Sequence, residues 1–206
     1  MFLGKRILAI GAHPDDIEYG CFGTLYRYRL ETEIYCYIAT NGGLNDETSN
    51  GLRLAHSVDA LSALEPKCVY ERNGIGISLD DYAYVARDLE RIIKHRQIDL
   101  ILTHTKHDTH QDHRIMFEIT LSAARRLPIT ILVYAPLSST PQFQPTVFVD
   151  VFSCFHAKQT ALNYHTTQYN KPYMKTAFLK AYHSDSFAFL HGFPTVERFE
   201  LIRSFQ

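Results

Sequence analysis

Two short stretches of the chain concentrate side chains that hold metal ions and move protons: Ala12-His13-Pro14-Asp15-Asp16, and His104 to Arg114, which reads HTKHDTHQDHR. A catalytic zinc site takes three protein ligands, typically imidazole and carboxylate, and keeps one position open for water. A histidine and an aspartate three residues apart, with a distant His110-Gln111-Asp112-His113 element, supply such a set with carboxylates to spare. Pro14 restricts the turn, so that His13 and Asp16 can point to one side while Asp15 points elsewhere. One carboxylate then binds metal while its neighbour handles protons.

Each stretch also has a plainer reading. Adjacent aspartates after a strand stabilise a helix N-terminus by their charge alone. Histidines at 104, 107, 110 and 113 also suit a solvated polar loop. The two stretches occur together, however, and each follows an apolar run that reads as a buried strand: Lys5 to Ala12 and Ile98 to Thr103. In open parallel α/β sheets, ligands collect beyond the carboxyl ends of the strands, where the strand order reverses. Two metal-binding loops at two strand ends therefore face one crevice.

Further strands are expected at Ile34 to Thr40, Lys67 to Glu71, Ile129 to Tyr134 and Thr146 to Val151. Helices are expected at Ile17 to Leu30, Leu52 to Leu64, Leu79 to Arg96, Phe155 to His165 and, more weakly patterned, Val196 to Ser204. Asn41, Gly42 and Gly43 mark a loop, and Pro136 to Pro145 another. Strands alternating with helices of this length predict an α/β fold, a Rossmann-like three-layer αβα sandwich with a mostly parallel sheet. No repeat or linker divides the 206 residues, so one domain is expected, with a motif-bearing core over about residues 5–168 and residues 169–206 packed on it.

With 46% hydrophobic and 21% charged residues, the chain can build one sizeable core and is not a disordered sequence. Its net charge of -1 offers no field to attract a polyanion or an anionic membrane, so no nucleic-acid partner is expected. The four cysteines form no C-x-x-C pair, which favours a reducing, cytoplasmic setting. No apolar run approaches the ~20 residues that span a bilayer, so no permanent membrane insertion is expected. The 11 histidines are what composition leaves unexplained.

The pair HPDD and HQDH resembles the LmbE-like, or PIG-L, family of zinc-dependent N-deacetylases. AHPDDIEYGCFGTL is similar to the opening motif of that family, and TKHDTHQDHR to its second metal motif. A looser third match is QPTVFVDVFSCFHAKQTALNYHTTQ. The resemblance implies removal of an acetyl group from an N-acetylglucosamine-type amino sugar or conjugate, by hydrolysis of its amide. It implies His13, Asp16 and His113 as metal ligands, Asp15 as general base, His110 as the group that stabilises the oxyanion or protonates the departing amine, and Asp112 as the residue that orients His110 by hydrogen bonding and favours its positive charge. Arg53 aligns with an arginine that contacts sugar hydroxyls; its plainer reading is a surface helix arginine. Zinc is the expected ion, and a His-His-Asp set also accepts Fe(II). Homo-oligomers are implied as well.

The chain departs from the family at His56 and Ala135, where many relatives carry glutamate; this puts the specificity rather than the chemistry in question. A deacetylase-fold binding protein with a vestigial site would also keep these motifs. A receiver-type phosphoacceptor domain would need an aspartate at the end of the third strand, where the chain has Glu71-Arg72-Asn73.

Overall fold

The computed structural model describes residues 1–42, 47–72, 74 and 76–205, and of residues 47–50 and 79 the backbone only. Gly43 of the expected loop and Asn73 after the third strand lie outside the described residues. In chain order the elements are β1 (Arg6–Gly11), α1 (Asp16–Gly20), α2 (Phe22–Tyr28), β2 (Glu33–Ile38), α3 (Glu47–Ser62), β3 (Cys68–Glu71), α4 (Leu79–Arg96), β4 (Leu100–His104), α5 (Gln111–Ala124), β5 (Thr130–Tyr134), β6 (Val147–Asp150), α6 (Phe155–Asn163), α7 (Thr176–Tyr182), α8 (Ser186–Leu190) and β7 (Val196–Arg203). Short 3-10 turns occur at Phe152–Cys154 and Pro172–Met174.

The strands form one sheet in the order β3-β2-β1-β4-β5-β7-β6. β1 to β5 run parallel, and β7 is antiparallel to both of its neighbours. Alternation of side chains along the central strands divides the core. Ile7, Ala9, Ile34, Cys36, Leu100 and Leu102 face α1, α2, α3 and α6, while Leu8, Ile10, Tyr35, Tyr37 and Ile101 face α4 and α5. This is the expected single-domain, three-layer α/β fold. The strand order reverses between β1 and β4, which lie side by side in parallel register from Ile7 opposite Leu100 to Ala9 opposite Leu102. Their carboxyl ends open the crevice.

Three expectations need correction. Val196 to Ser204 is a strand and not a helix: its glutamates and arginines imitate a helical polar face, yet Glu197 is buried, accepting hydrogen bonds from the main-chain N–H groups of Gly23 and Thr24 and from Lys158 Nζ. The same carboxylate accounts for the second difference. The expected helix from Ile17 to Leu30 breaks at Cys21, so the freed N-terminal amides of α2 receive a buried anion. Third, α5 was not expected as a helix beyond the loop ending at Arg114, although Met116, Ile119, Thr120 and Ala123 keep helical spacing on its buried face. α3 also begins at Glu47, well before Leu52.

Candidate metal centre and catalytic cleft

The turn after β1 is shaped by Asp15, whose φ of 108° lies in the left-handed region that aspartate tolerates better than most residues. This conformation separates the two aspartates. Asp16, in the first turn of α1, points back to the sheet, and Asp15 points along the cleft.

His13 Nδ1 lies 3.5 Å from Asp16 Oδ2 and 3.3 Å from His113 Nε2, and His113 Nε2 lies 3.5 Å from Asp16 Oδ1. Ligand atoms about 2.0–2.1 Å from a tetrahedral ion sit about 3.3–3.4 Å from one another, and each of these contacts is close to that length, the two imidazoles meeting different oxygens of Asp16. The other nitrogen of each imidazole meets a carboxylate: His13 Nε2 is 3.2 Å from Asp112 Oδ2, and His113 Nδ1 is 2.9 Å from Asp108 Oδ2. A ring that donates its far N–H to a carboxylate aims a lone pair at the centre, the usual support of a metal-binding histidine. The donor set therefore fits a divalent cation. Among the described residues, two overlapping groups bring ligand atoms within 4.8 Å of one another, His13 with His110 and His113, and Asp16 with His104 and His113; both share His113.

The charges of the site follow from the same contacts. Burial opposes the protonated form of His13, but hydrogen bonds to Asp112 and Asp16 outweigh it and raise the imidazole to about 9. Burial likewise opposes His113, and the charge of Asp16 with the bond to Asp108 raises it to about 10. Asp16 is held well below the usual carboxylate range: burial works the other way, and His113 and His104 prevail. Asp15 is pushed up to about 6 by burial and the Asp16 charge, against the pull of His165 and Arg53.

His104 lies beneath His13, Asp16 and His113. Its Nε2 accepts the Ala12 N–H at 3.0 Å, and burial lowers its pKa to about 4, with His113 acting in the same direction. An amide can only donate, so that bond occupies the Nε2 lone pair. Asp108 accepts both the His110 N–H at 2.7 Å and the His113 ring, joining the loop-capping and ring-supporting roles in one side chain.

His110 caps α5. Its Nδ1 accepts the main-chain N–H of Asp112 at 3.2 Å, whereas the Asp112 carboxylate is directed to His13. The orientation of His110 expected from the Asp112 side chain thus comes from the Asp112 backbone. Nor is a positive His110 favoured: burial, then His113 and His13, lower its pKa. With Nδ1 accepting, the neutral ring carries its proton on Nε2.

Arg53 is 7% exposed, which removes its reading as a surface arginine. Its NH1 donates to Gly42 O at 2.5 Å and its NH2 to Pro14 O at 3.1 Å, with Asp15 Oδ2 3.7 Å away. Gly42 has φ +87°, and a Cβ there would run into the guanidinium, so glycine is required on both counts. These residues line one cleft of about 590 Å³ that holds His13, Asp15, Asp16, Arg53, His110, Asp112 and His113 together.

Comparison with known proteins decides what kind of cleft this is. Residues 8–124 match the PIG-L family, described as GlcNAc-PI de-N-acetylase. The chain belongs to the PIG-L family. It is 31% identical over 178 residues to the uncharacterized deacetylase YaiS of Escherichia coli (strain K12), covering 78% of this chain and 90% of that protein. Among solved structures it resembles the N,N'-diacetylchitobiose deacetylase of Pyrococcus horikoshii, with a TM-score of 0.79 and 21% identity over 96% of this chain and 84% of the other. It resembles equally the 4-carboxy-2-hydroxymuconate hydratase GalB of Pseudomonas putida KT2440, at a TM-score of 0.79 and 13% identity over 98% of each chain. Both likenesses concern the fold. The family is one of deacetylases, enzymes that hydrolyse amides.

Within this PIG-L chain His56 and Ala135 make their contacts away from His13, Asp16 and His113. His56 contacts Thr166 Oγ1 at 3.3 Å and packs near His165, and the Ala135 carbonyl accepts the Tyr182 hydroxyl at 2.5 Å. The cleft wall next to Ala135 is made by Pro136, Leu137 and Ser138. Tyr19, Gln168, Lys171 and Tyr173 complete the lining, and of these only Gln168 falls within a stretch matched to the family. His165 is buried 2.9 Å from Glu18, which also accepts the Ser57 hydroxyl.

Proposed function

We propose that this chain is a metal-dependent N-deacetylase that removes the acetyl group from an N-acetylglucosamine-type amino sugar or conjugate. His13, Asp16 and His113 hold the ion, zinc or Fe(II). The observation that carries this reading is the set of contacts of 3.3 to 3.5 Å among His13, His113 and the two oxygens of the Asp16 carboxylate, with both imidazoles backed by carboxylates.

When bound, the ion supplies Lewis acidity to the attacking water and the amide carbonyl. Asp15, ionised at neutral pH and lining the same cleft, takes the proton of that water. Arg53 fixes the Pro14 carbonyl and faces Asp15, so it holds the base in place and presents a buried cation to sugar hydroxyls. His110, with its proton on Nε2, donates a hydrogen bond to the oxygen that gains charge as the carbonyl becomes tetrahedral. Collapse to acetate and amine returns the proton held by Asp15 to the nitrogen. Leu137 and Tyr173 offer the apolar surface a sugar ring packs on.

Acetate release from a panel of N-acetylglucosamine conjugates, with and without chelator, tests the proposal. Turnover that chelation abolishes and one equivalent of metal restores supports it. Metal binding with no turnover on any conjugate makes the chain a binding protein instead.

A further inference from the structure

Arg114 follows the proposed ligand His113 on α5, yet its guanidinium reaches back past the first turn of the helix to the loop before it. NH1 donates to two successive carbonyls, Asp108 O and Thr109 O, each at 2.7 Å. No ion pair involves this arginine among the described residues. A guanidinium that takes two main-chain oxygens and no carboxylate fastens a backbone instead of balancing a charge. The fastened residues serve both sides of the cleft. The Asp108 carboxylate uses both of its oxygens: Oδ1 accepts the His110 N–H at 2.7 Å, and Oδ2 meets His113 Nδ1 at 2.9 Å. Thr109 donates to Ser138 O from its main-chain N at 2.9 Å and from its hydroxyl at 3.1 Å. Thr140 N donates to His107 O at 2.8 Å, and Asp108 pairs with Ser139 in an isolated antiparallel bridge. Ser138 stands in the cleft wall beside Leu137.

We propose that Arg114 is a positioning residue that couples the metal centre to the cleft wall, by fixing the 108–109 backbone from which Asp108 supports His113 and Thr109 holds Ser138. The inference rests on the metal-dependent reading above. With both oxygens engaged, the Asp108 carboxylate cannot turn to follow one partner without leaving the other, so its aim is set by where the backbone of residue 108 is held. Support of a ligating imidazole by such a carboxylate is worth about 10–100-fold in metal affinity or activity. Hydrogen bonds from a charged donor are about twice as strong as neutral ones, and a positive group between two converging carbonyl dipoles offsets their repulsion. Water could satisfy either carbonyl but would leave their mutual direction free. The wall follows the same backbone, so a loosened loop also loosens the surface beside the substrate.

Cobalt(II) titration of the metal-free full chain, read by visible absorption and by zinc competition, tests this on variants whose far-UV circular dichroism is unchanged. Arg114→Met keeps an apolar stem and removes the donors; it is expected to weaken metal binding about 10-fold, and Asp108→Asn about 100-fold, the two ends of the range for such support. Because Arg114 acts through Asp108, the double variant binds no more weakly than Asp108→Asn alone. Arg114→Lys, which keeps a charged donor, restores most of the affinity. In the metal-free chain, Arg114→Met speeds hydrogen exchange at the amides of Thr109, His110 and Thr140. Arg114→Gln, with a neutral donor, replaces Arg114→Met in each comparison if the latter does not fold. A merely structural arginine lowers the melting temperature and leaves these readouts unmoved. Unchanged metal affinity or amide exchange in the folded variant, losses that add in the double variant, or a lysine variant no better than methionine overturns the inference and leaves the proposed function standing. A wild-type chain that takes up neither cobalt nor zinc overturns both.

Discussion

His13 Nδ1 and His113 Nε2 approach to 3.3 Å although the residues are 100 positions apart, each with its opposite ring nitrogen against a carboxylate. Without a cation, such an approach of two imidazoles is held together by protons and by Asp16. With one, both lone pairs serve a single ion.

This predicts a separation of metal binding from turnover. Asp15→Asn is expected to retain about one metal per chain while losing about 10²–10⁴-fold in rate. His113→Ala is expected to lose the metal as well. Metal analysis of the purified variants beside acetate release checks both, and a fully active Asp15→Asn would refute the assignment of the base.

Metal binding should also release protons. With His13 raised to about 9 and His113 to about 10, the metal-free site holds protons near neutral pH that the ion displaces. Affinity is therefore expected to weaken as pH falls. Calorimetry in buffers of different ionisation enthalpy reads the number released, and a pH-independent affinity between pH 6 and 8 (roughly one unit either side of neutral) would contradict the charge state described here.

Gly42→Ala forces a side chain into the left-handed region and against the Arg53 guanidinium. The expected cost is about 1–3 kcal/mol of stability, visible as a lower melting temperature, together with a rise in KM as Arg53 moves. Arg53→Lys should reproduce the kinetic effect with less loss of stability, since it leaves the Gly42 turn intact.

Lys158 and Glu197 form a fully buried ion pair at 2.6 Å, with side chains 1% and 0% exposed. Glu197→Gln strands the ammonium in the core and is expected to cost about 3–5 kcal/mol in urea denaturation. Adding Lys158→Met should recover much of that loss. Equal stability of the wild type and Glu197→Gln would show that the pair is not energetically coupled.

The sheet and the two metal motifs were legible because they rest on local signals. Apolar runs over Lys5 to Ala12 and Ile98 to Thr103 mark strands buried on both faces, and the stretches that follow them concentrate metal-binding residue types, while the choice of His13, Asp16 and His113 among them rests on the family resemblance. Helix α4 matched at both ends because Ser78 and Asp81 form a capping box and Gln97 closes it. What escaped depends on contacts distant in sequence. Glu197 looked like a polar face because its partners, Gly23, Thr24 and Lys158, lie in other parts of the chain. Asp112 was expected to orient its neighbour His110 because proximity in sequence suggested it, whereas the fold gives its carboxylate to His13. Tyr19 packs with Phe155, Leu162, Met174 and Leu179 in a third small core against which Tyr173 also packs, a grouping that joins α1 to segments about 140 to 160 residues away in sequence.

The place of β7 in the sheet bears on the order in which the molecule assembles. It follows the other six described strands in sequence, yet it lies between β5 and β6 and joins them. Until it arrives, β6 has no neighbour, the amides at the start of α2 have no anion, and Lys158 has no counter-charge. A nascent chain that has made both histidine-containing motifs therefore still waits for β7. Slippage or loss of that strand would leave exposed sheet edges and an unpaired buried cation, a species prone to aggregate or to be degraded before it becomes a working enzyme.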